Sequence, residues 1–368
     1  MIFFDGRIFW MLLFQAPGSD FEHSLVMTEY PMKRNLLAVL AQALTLGLLA
    51  SAANAQILKI ATISPDGSGW MTKMRAGAAD IKTRTEGRVE FKFYTGGTMG
   101  NDKAVLNKIR IGQLQGGAIT GGSLADAARD IQVYSLPLKL HTFDEVDYVR
   151  SKMDAGLSKA LEDGGFVNFG FAEGGFAYAM SKSVPVPSIT ILRKQRVWIP
   201  DNDHQSEEAM KVFQVTPVPL SLADVLPSLQ TGIIDTVASS PIATVALQWH
   251  TQVKYITEVP LSYFVGTLAI EKKSFAKMAP ADQGVVREVM SRVFVEINAQ
   301  NRKDNMAAYN ALLKQGIKPV KPNATEMSEW EKYAELASVA MIRDGIVGQP
   351  AAAQMNAALL AFRNGKNK

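Results

Sequence analysis

The sequence predicts an α/β protein built as two similar lobes, with long bracing helices toward the C-terminal end. Three observations carry this. From residue 57 onward short β-rich runs alternate with helical stretches, the order that builds a sheet of mostly parallel strands. One device occurs twice: "IRIGQLQGGAIT" (109–120) and "LQTGIIDTVASS" (229–240) each leave a helical stretch through a glycine, Gly112 or Gly232, and enter a short apolar run that ends in small residues. Beyond residue 280 the pattern is helical, with no low-complexity linker.

In the first lobe, "ILKIATIS" (57–64) reads as a strand ending in the loop "PDGSG". A helix follows from Trp70 to about Thr85, with Trp70, Met74, Ala78 and Ile81 on one face and Ser68 as its cap. "GRVEFKFYTGG" alternates, Val89, Phe91 and Phe93 against Arg88, Glu90 and Lys92, which is a half-buried strand. "NDKAVLNKIRIG" is a helix from Asn101 or Asp102 to Gly112, and "LQGGAIT" returns as a strand. Thr142 and Glu145 have capping-box spacing and open a helix to about Asp163. "GFVNFGFAEGGFAYAMS" (165–181) reads as two short strands around Gly174 and Gly175.

The second lobe begins with the strand "KQRVWIP". "DNDHQSEEAMKVF" is a helix with Asp203 as cap and a Glu207–Lys211 pair one turn apart. "VTPVPL" is a short strand and "ADVLPSLQTG" a helix. With Asp224 as its cap, Pro227 falls in the first turn, where a missing N–H costs nothing. "IIDTVASSP" and "SYFVGTLAIEKKSF" are strands. A helix from about Ala281 to Gln315 would span roughly 50 Å, enough to brace both lobes, and two further helices follow. The expected division is residues 56–180 with about 266–305 in the first lobe, and 181–265 with about 306–368 in the second.

Composition narrows the function. The 368 residues are 47% hydrophobic and 20% charged, a globular balance for about two domains. Absence of cysteine excludes disulfides, thiol nucleophiles and Cys-based metal sites. The net charge of +4 is interspersed, which argues against a nucleic-acid partner. "MKRNLLAVLAQALTLGLLASAANA" (Met32–Ala55) has the layout of a secretory signal with cleavage after Ala55. Met32 is then the expected start, residues 1–31 a non-native extension, and the mature chain a periplasmic one with no apolar stretch long enough to insert in a membrane.

Chemistry-bearing motifs are few. His141, His204 and His250 have no metal-ligand spacing. "DNDH" (201–204) lacks the glycine and distal glutamate of a calcium loop and reads as a helix N-terminus. No nucleophile elbow or Walker loop occurs, and "GGTMG" (96–100) reads as a turn. No catalytic residue, metal or cofactor is therefore assigned. Asp130, Asp144 and Glu173 read as lone solvated acids. Trp70, Phe176, Trp198, Trp249 and Tyr263 read individually as core, although either Trp198 or Val197 should face an interlobe cleft.

Residues 57–275 resemble the substrate-binding subunit of tripartite ATP-independent periplasmic (TRAP) transporters, the DctP-like family. The stretches that carry it are "TEGRVEFKFYTGGTMGNDKAVLNKIRIGQL", "SLPLKLHTFDEVDYV" and "VTPVPLSLADVLPSLQTGIIDTVASSP". The resemblance implies a type II-like two-lobed periplasmic binding fold. It implies a small organic ligand, often an acid, delivered without chemistry to a membrane pair of transporter proteins. Carried over residue by residue, it implies a ligand site of Ser64, Asn101, Thr120 and Gly121 on one side and Trp198, Leu222, Ser239 and Ser240 on the other, with Phe176 near the crossover. Trp198 stands where most members of the family carry arginine, and a second arginine position of some members falls near Phe176, which leaves two options. The ligand is apolar or aromatic, or a carboxylate is held by backbone N–H groups and serines. An extracellular sensor for a receptor, or an enzyme on the same scaffold, are the alternative functions.

Overall fold

The computed structural model describes residues 2–4, 7–9, 55–201 and 203–366. It divides into residues 1–53 and residues 54–368. In the first unit Ile2–Phe4 pairs antiparallel with Arg7–Phe9. The assigned leader, Met32–Ala55, lies outside the described residues except for Ala55. The remainder concerns the second unit.

The strands are β1 (Gln56–Ala61), β2 (Val89–Tyr94), β3 (Gly116–Thr120), β4 (Phe166–Val167), β5 (Ala172–Ser181), β6 (Val197–Pro200), β7 (Pro217–Leu220), β8 (Thr236–Ser239), β9 (Tyr255–Thr257), β10 (Ser262–Glu271) and β11 (Lys318–Val320). The helices are α1 (Gly69–Arg84), α2 (Asp102–Arg110), α3 (Phe143–Asp163), α4 (Ile189–Leu192), α5 (His204–Phe213), α6 (Val225–Thr231), α7 (Pro241–Ala246), α8 (Lys272–Phe275), α9 (Pro280–Lys314), α10 (Ala324–Arg343) and α11 (Gln349–Lys366). One sheet runs β2-β1-β3-β10-β5-β8-β6-β7, with β4 on β10, β9 on β5 and β11 on β9.

Both sheet halves start from the same local physics. Ser68 and Asn101 cap α1 and α2 by accepting from the N–H of Met71 and Ala104, satisfying donors that have no intrahelical partner. Gly112 and Gly232, the glycines of the repeated device, have φ of 77° and 78°. That left-handed conformation costs glycine nothing and lets a helix turn directly into a strand. Within each half the β1–β2, β1–β3, β6–β7 and β6–β8 pairs are parallel.

The expected mostly parallel sheet is corrected at its centre. β5 and β10 are ten-residue strands that pair antiparallel with each other and with β3 and β8. The two short strands expected around Gly174 and Gly175 are one strand. It pairs with β10 through Ala172–Ala177 and with β8 through Tyr178–Ser181, so it hands the sheet from one half to the other. Continuity survives because an irregularity at Phe264/Val265 and a positive φ of 90° at Gly175 absorb the change of direction.

Local expectations differ at two more places. The Thr142 side chain accepts from Glu145 N–H as a cap, but Glu145 takes the N–H of His141 rather than that of Thr142. Lys211 pairs with Glu208 (3.1 Å), while Glu207 meets His204, because two acids at helical spacing compete for one exposed lysine.

The core has three clusters. Leu58, Ile60 and α1 pack against the first half of α9 through Val286, Val289, Met290 and Val293. Gly77 permits this approach, since a Cβ there would stand 2.6 Å from Val293 Cγ2. A second cluster joins Met180, Trp198, Val225, Leu229 and Trp249 with Leu312 near the other end of α9. The 35-residue helix thus serves both halves, as expected of a brace. The third and largest cluster runs across both halves, from Val105 and Ile119 to Val197, Phe213 and Trp330. The last helix, grouped by sequence with the second lobe, packs on α3 of the first: Tyr148 meets Phe362 at 5.5 Å and Arg363 Nε donates to Glu145 (2.8 Å).

Burial pushes the Glu145 carboxyl up, but Arg363 and the His141 amide outweigh it and hold it below the usual range. Arg302 holds Asp147 low in the same way. Depressed carboxylates contribute stability above their unfolded pKa of about 4 and lose it as pH falls through the folded value. The thermal midpoint should therefore fall below about pH 4. An Arg363→Ala variant should show a shallower fall, read by calorimetry across pH 2–6 (roughly the carboxylate range).

Candidate functional site

The junction between the halves is where the ends of β3, β6, β7 and β8 and the caps of α2 and α5 come together. Asn101 does two things there. Its Oδ1 caps α2, and its Nδ2 donates to Asp201 Oδ2 (3.0 Å), one residue beyond β6 in the other half. Asp201 belongs to the stretch read as a helix N-terminus. Asp203 does cap α5, through the N–H of Ser206 (3.1 Å). Asp201 instead reaches across the halves. Gly122 lies close to Asp203, whose Oδ1 would be 3.9 Å from a Cβ at that glycine.

Thr120 is exposed at the end of β3. Its N–H and Oγ1 both donate to Asp102 Oδ2 (3.0 and 2.7 Å), so it is held to α2. Gly121 is buried and donates to Val265 O (2.9 Å). Ser64 lies in the loop after β1, where its carbonyl accepts from Gly96 N–H (2.9 Å). In the second half, Leu222 is half-buried after β7. Ser239 closes β8 opposite Tyr178 of β5. Ser240 precedes α7 and accepts from Thr244 through both N–H and hydroxyl. Both serines are buried.

The two aromatics do not stand together. Phe176 sits in the shared cluster, its ring 5.2 Å from Phe143 and 5.1 Å from Tyr263. Trp198 sits in the second-half cluster, edge-on to Trp249 at 5.2 Å, with its indole N–H donated to Leu220 O (3.0 Å). Both are 6% exposed, so the core reading of these residues holds and they form no joint aromatic surface. A cavity of about 560 Å³ lies in the first half between α2, the segment after β3, and α8. None of the nine site residues expected from the sequence lines it.

Glu173, read as a solvated acid, is buried at the start of β5. Arg302 of α9 grips both its oxygens (2.7 Å each), and Arg150 of α3 donates to it as well (2.7 Å). Asp147 and Asp154 complete the charge balance on these arginines. Tyr263 OH is buried beside this group, and burial, with the Glu173 charge next to it, pushes its pKa up. These contacts join residues 23 and 129 positions apart, and no local pattern marks them. Among the described residues, no group of three or more His, Cys, Asp or Glu could hold a metal ion. No helix among them is long and apolar enough to cross a membrane.

Residues 60–341 match the family model DctP, bacterial extracellular solute-binding protein, family 7. The chain belongs to this family. As a family 7 protein it is 24% identical over 322 residues to the C4-dicarboxylate-binding periplasmic protein DctP of Rhodobacter capsulatus, covering 82% of this chain and 92% of that one. Its fold is that of TRAP periplasmic solute-binding proteins. The one from Ralstonia eutropha H16, with bound (S)-2-acetolactate, superposes with a TM-score of 0.77 at 18% identity, covering 84% of this chain and 100% of that one. The one from Sulfitobacter sp. NAS-14.1, with bound β-D-galacturonate, gives 0.74 at 18% identity over 84% and 99%.

Proposed function

We propose that this family 7 chain is the periplasmic receptor of a TRAP-type transporter. It captures a small organic solute between the two sheet halves and passes it, chemically unchanged, to membrane subunits. The observation that carries this is the junction itself. Each half delivers a helix–glycine–strand unit whose strand ends in small residues, and Asn101–Asp201 closes the halves across those ends. Open α/β sheets bind ligands at such carboxyl ends. The organic acids bound by the two solved relatives suggest the solute class.

In this reading residues 56–180 with about 266–305 form one lobe, and 181–265 with about 306–348 the other. The last helix belongs with the first lobe, on which it packs. Ser64, Asn101, Thr120, Gly121, Leu222, Ser239 and Ser240 line the solute. Phe176 and Trp198 form packed walls behind them. Met32–Ala55 directs export and is removed in the process.

A solute that binds only the folded, closed form raises the thermal midpoint in proportion to the logarithm of its concentration. Residues 56–368 should show such a rise with at least one of D-galacturonate, 2-acetolactate or a C4-dicarboxylate, and NMR should recover the solute unaltered. No rise with any organic acid, polyol or aromatic solute, or recovery of a converted product, would contradict the reading.

A further inference from the structure

β5 pairs irregularly with β10 at Gly174, a few residues before it changes partner, and there α9 supplies hydrogen bonds to it. Asn298 Oδ1 accepts from Glu173 N–H (2.9 Å) and its Nδ2 donates to Phe171 O (2.9 Å). Asn301 Nδ2 donates to Glu173 O (2.8 Å). Asn305 Nδ2 donates to Gly174 O (3.4 Å) and to Asn301 O (3.1 Å). The spacing of three and four residues puts all three amides on one helix face. Gly175 makes room for the third, because a Cβ there would stand 2.8 Å from Asn305 Nδ2.

Asn305 does one thing more. Its Oδ1 accepts from Ile242 N–H (3.2 Å), in the first turn of α7 and two residues beyond Ser240. The side chain is nearly buried, at 8% exposure. One amide therefore ties the crossover of β5, the bracing helix, and the segment that follows the small-residue end of β8. Only a side chain with both a donor and an acceptor can do this. Leucine offers neither. An ionised aspartate accepts from Ile242 but cannot donate to Gly174.

We propose that Asn305 is a positioning residue for solute capture: it registers the Ser239–Ser240 edge of the second half against the Gly174–Gly175 crossover, about which the halves close. This rests on the capture reading above. Asn305 itself touches no solute. It sets how often the two edges are correctly opposed before a solute arrives, and hence the fraction of chains competent to bind.

The test uses solute-free protein, so it does not depend on knowing the solute. The chain has no cysteine, so Arg110→Cys with Gln230→Cys places one spin label on each half at exposed positions. In Asn305→Leu the label distance distribution should broaden relative to the parent. Amide exchange should accelerate about tenfold or more in peptides spanning 172–178 and 239–246, with α1 peptides unchanged. Asn305→Asp should accelerate exchange at 172–178 and spare 239–246, which keeps the proposal testable if the leucine variant does not fold. Unchanged distances and exchange in a folded variant, or a uniform acceleration across all peptides, would overturn the proposal. Failure of the parent protein to bind any solute would sink the capture reading and with it the role in capture, while distances and exchange would still decide whether Asn305 registers the two edges.

Discussion

Replacing Glu173 by alanine is expected to lower the unfolding free energy by about 3–5 kcal/mol, the cost of leaving a buried charge uncompensated. Glu173 is 4% exposed and is the shared acceptor of Arg150 and Arg302. Without it Arg150, whose side chain is only 11% exposed, keeps one carboxylate, and Arg302 loses both of its hydrogen bonds to Glu173 and keeps only the exposed Asp147. The effect should appear as a lower urea midpoint at unchanged slope. Asp147→Ala is the control. Its carboxylate is 60% exposed, so the change should cost less than about 1 kcal/mol and leave Arg302 held by Glu173. Equal costs for the two variants would mean that the group at the start of β5 is not a buried ion network.

Trp198→Ala should be comparably damaging, about 3–5 kcal/mol for deletion of a buried aromatic side chain. The indole packs edge-on to Trp249 within the cluster that also holds Val225 and Leu229, and its N–H satisfies Leu220 O. Trp198→Phe should recover most of the packing and lose about 1 kcal/mol for the missing hydrogen bond. Urea titration of the three proteins separates these contributions. A Trp198→Ala variant as stable as its parent would place the side chain at a solvent-facing wall and not in the core.

The elements whose information is local were legible in the sequence. The caps Ser68, Asn101, Thr142 and Asp203 and the glycines at 112 and 232 stand where the residue types and spacings put them. The long helix was readable from its length alone. What escaped was non-local. Gly174–Gly175 looks like a break in sequence, yet the strand continues because α9 supplies the missing partners from 125 and more residues away. Glu173 and Asp201 looked like solvated or capping acids, since nothing nearby reveals Arg302 or Asn101. Trp198 and Phe176 were placed on the correct strands. Strand alternation fixes a side chain's face only relative to its neighbours, so it could not say that the two would enter different clusters.

The central claim is that the halves hold a small solute and release it unaltered. Native mass spectrometry of the protein purified from its own host tests this most directly, followed by chemical identification of whatever dissociates. The account predicts one small organic molecule per chain, identical before and after capture, that rebinds when added back. A chain that carries nothing and binds nothing, or that returns a chemically different molecule, would contradict it.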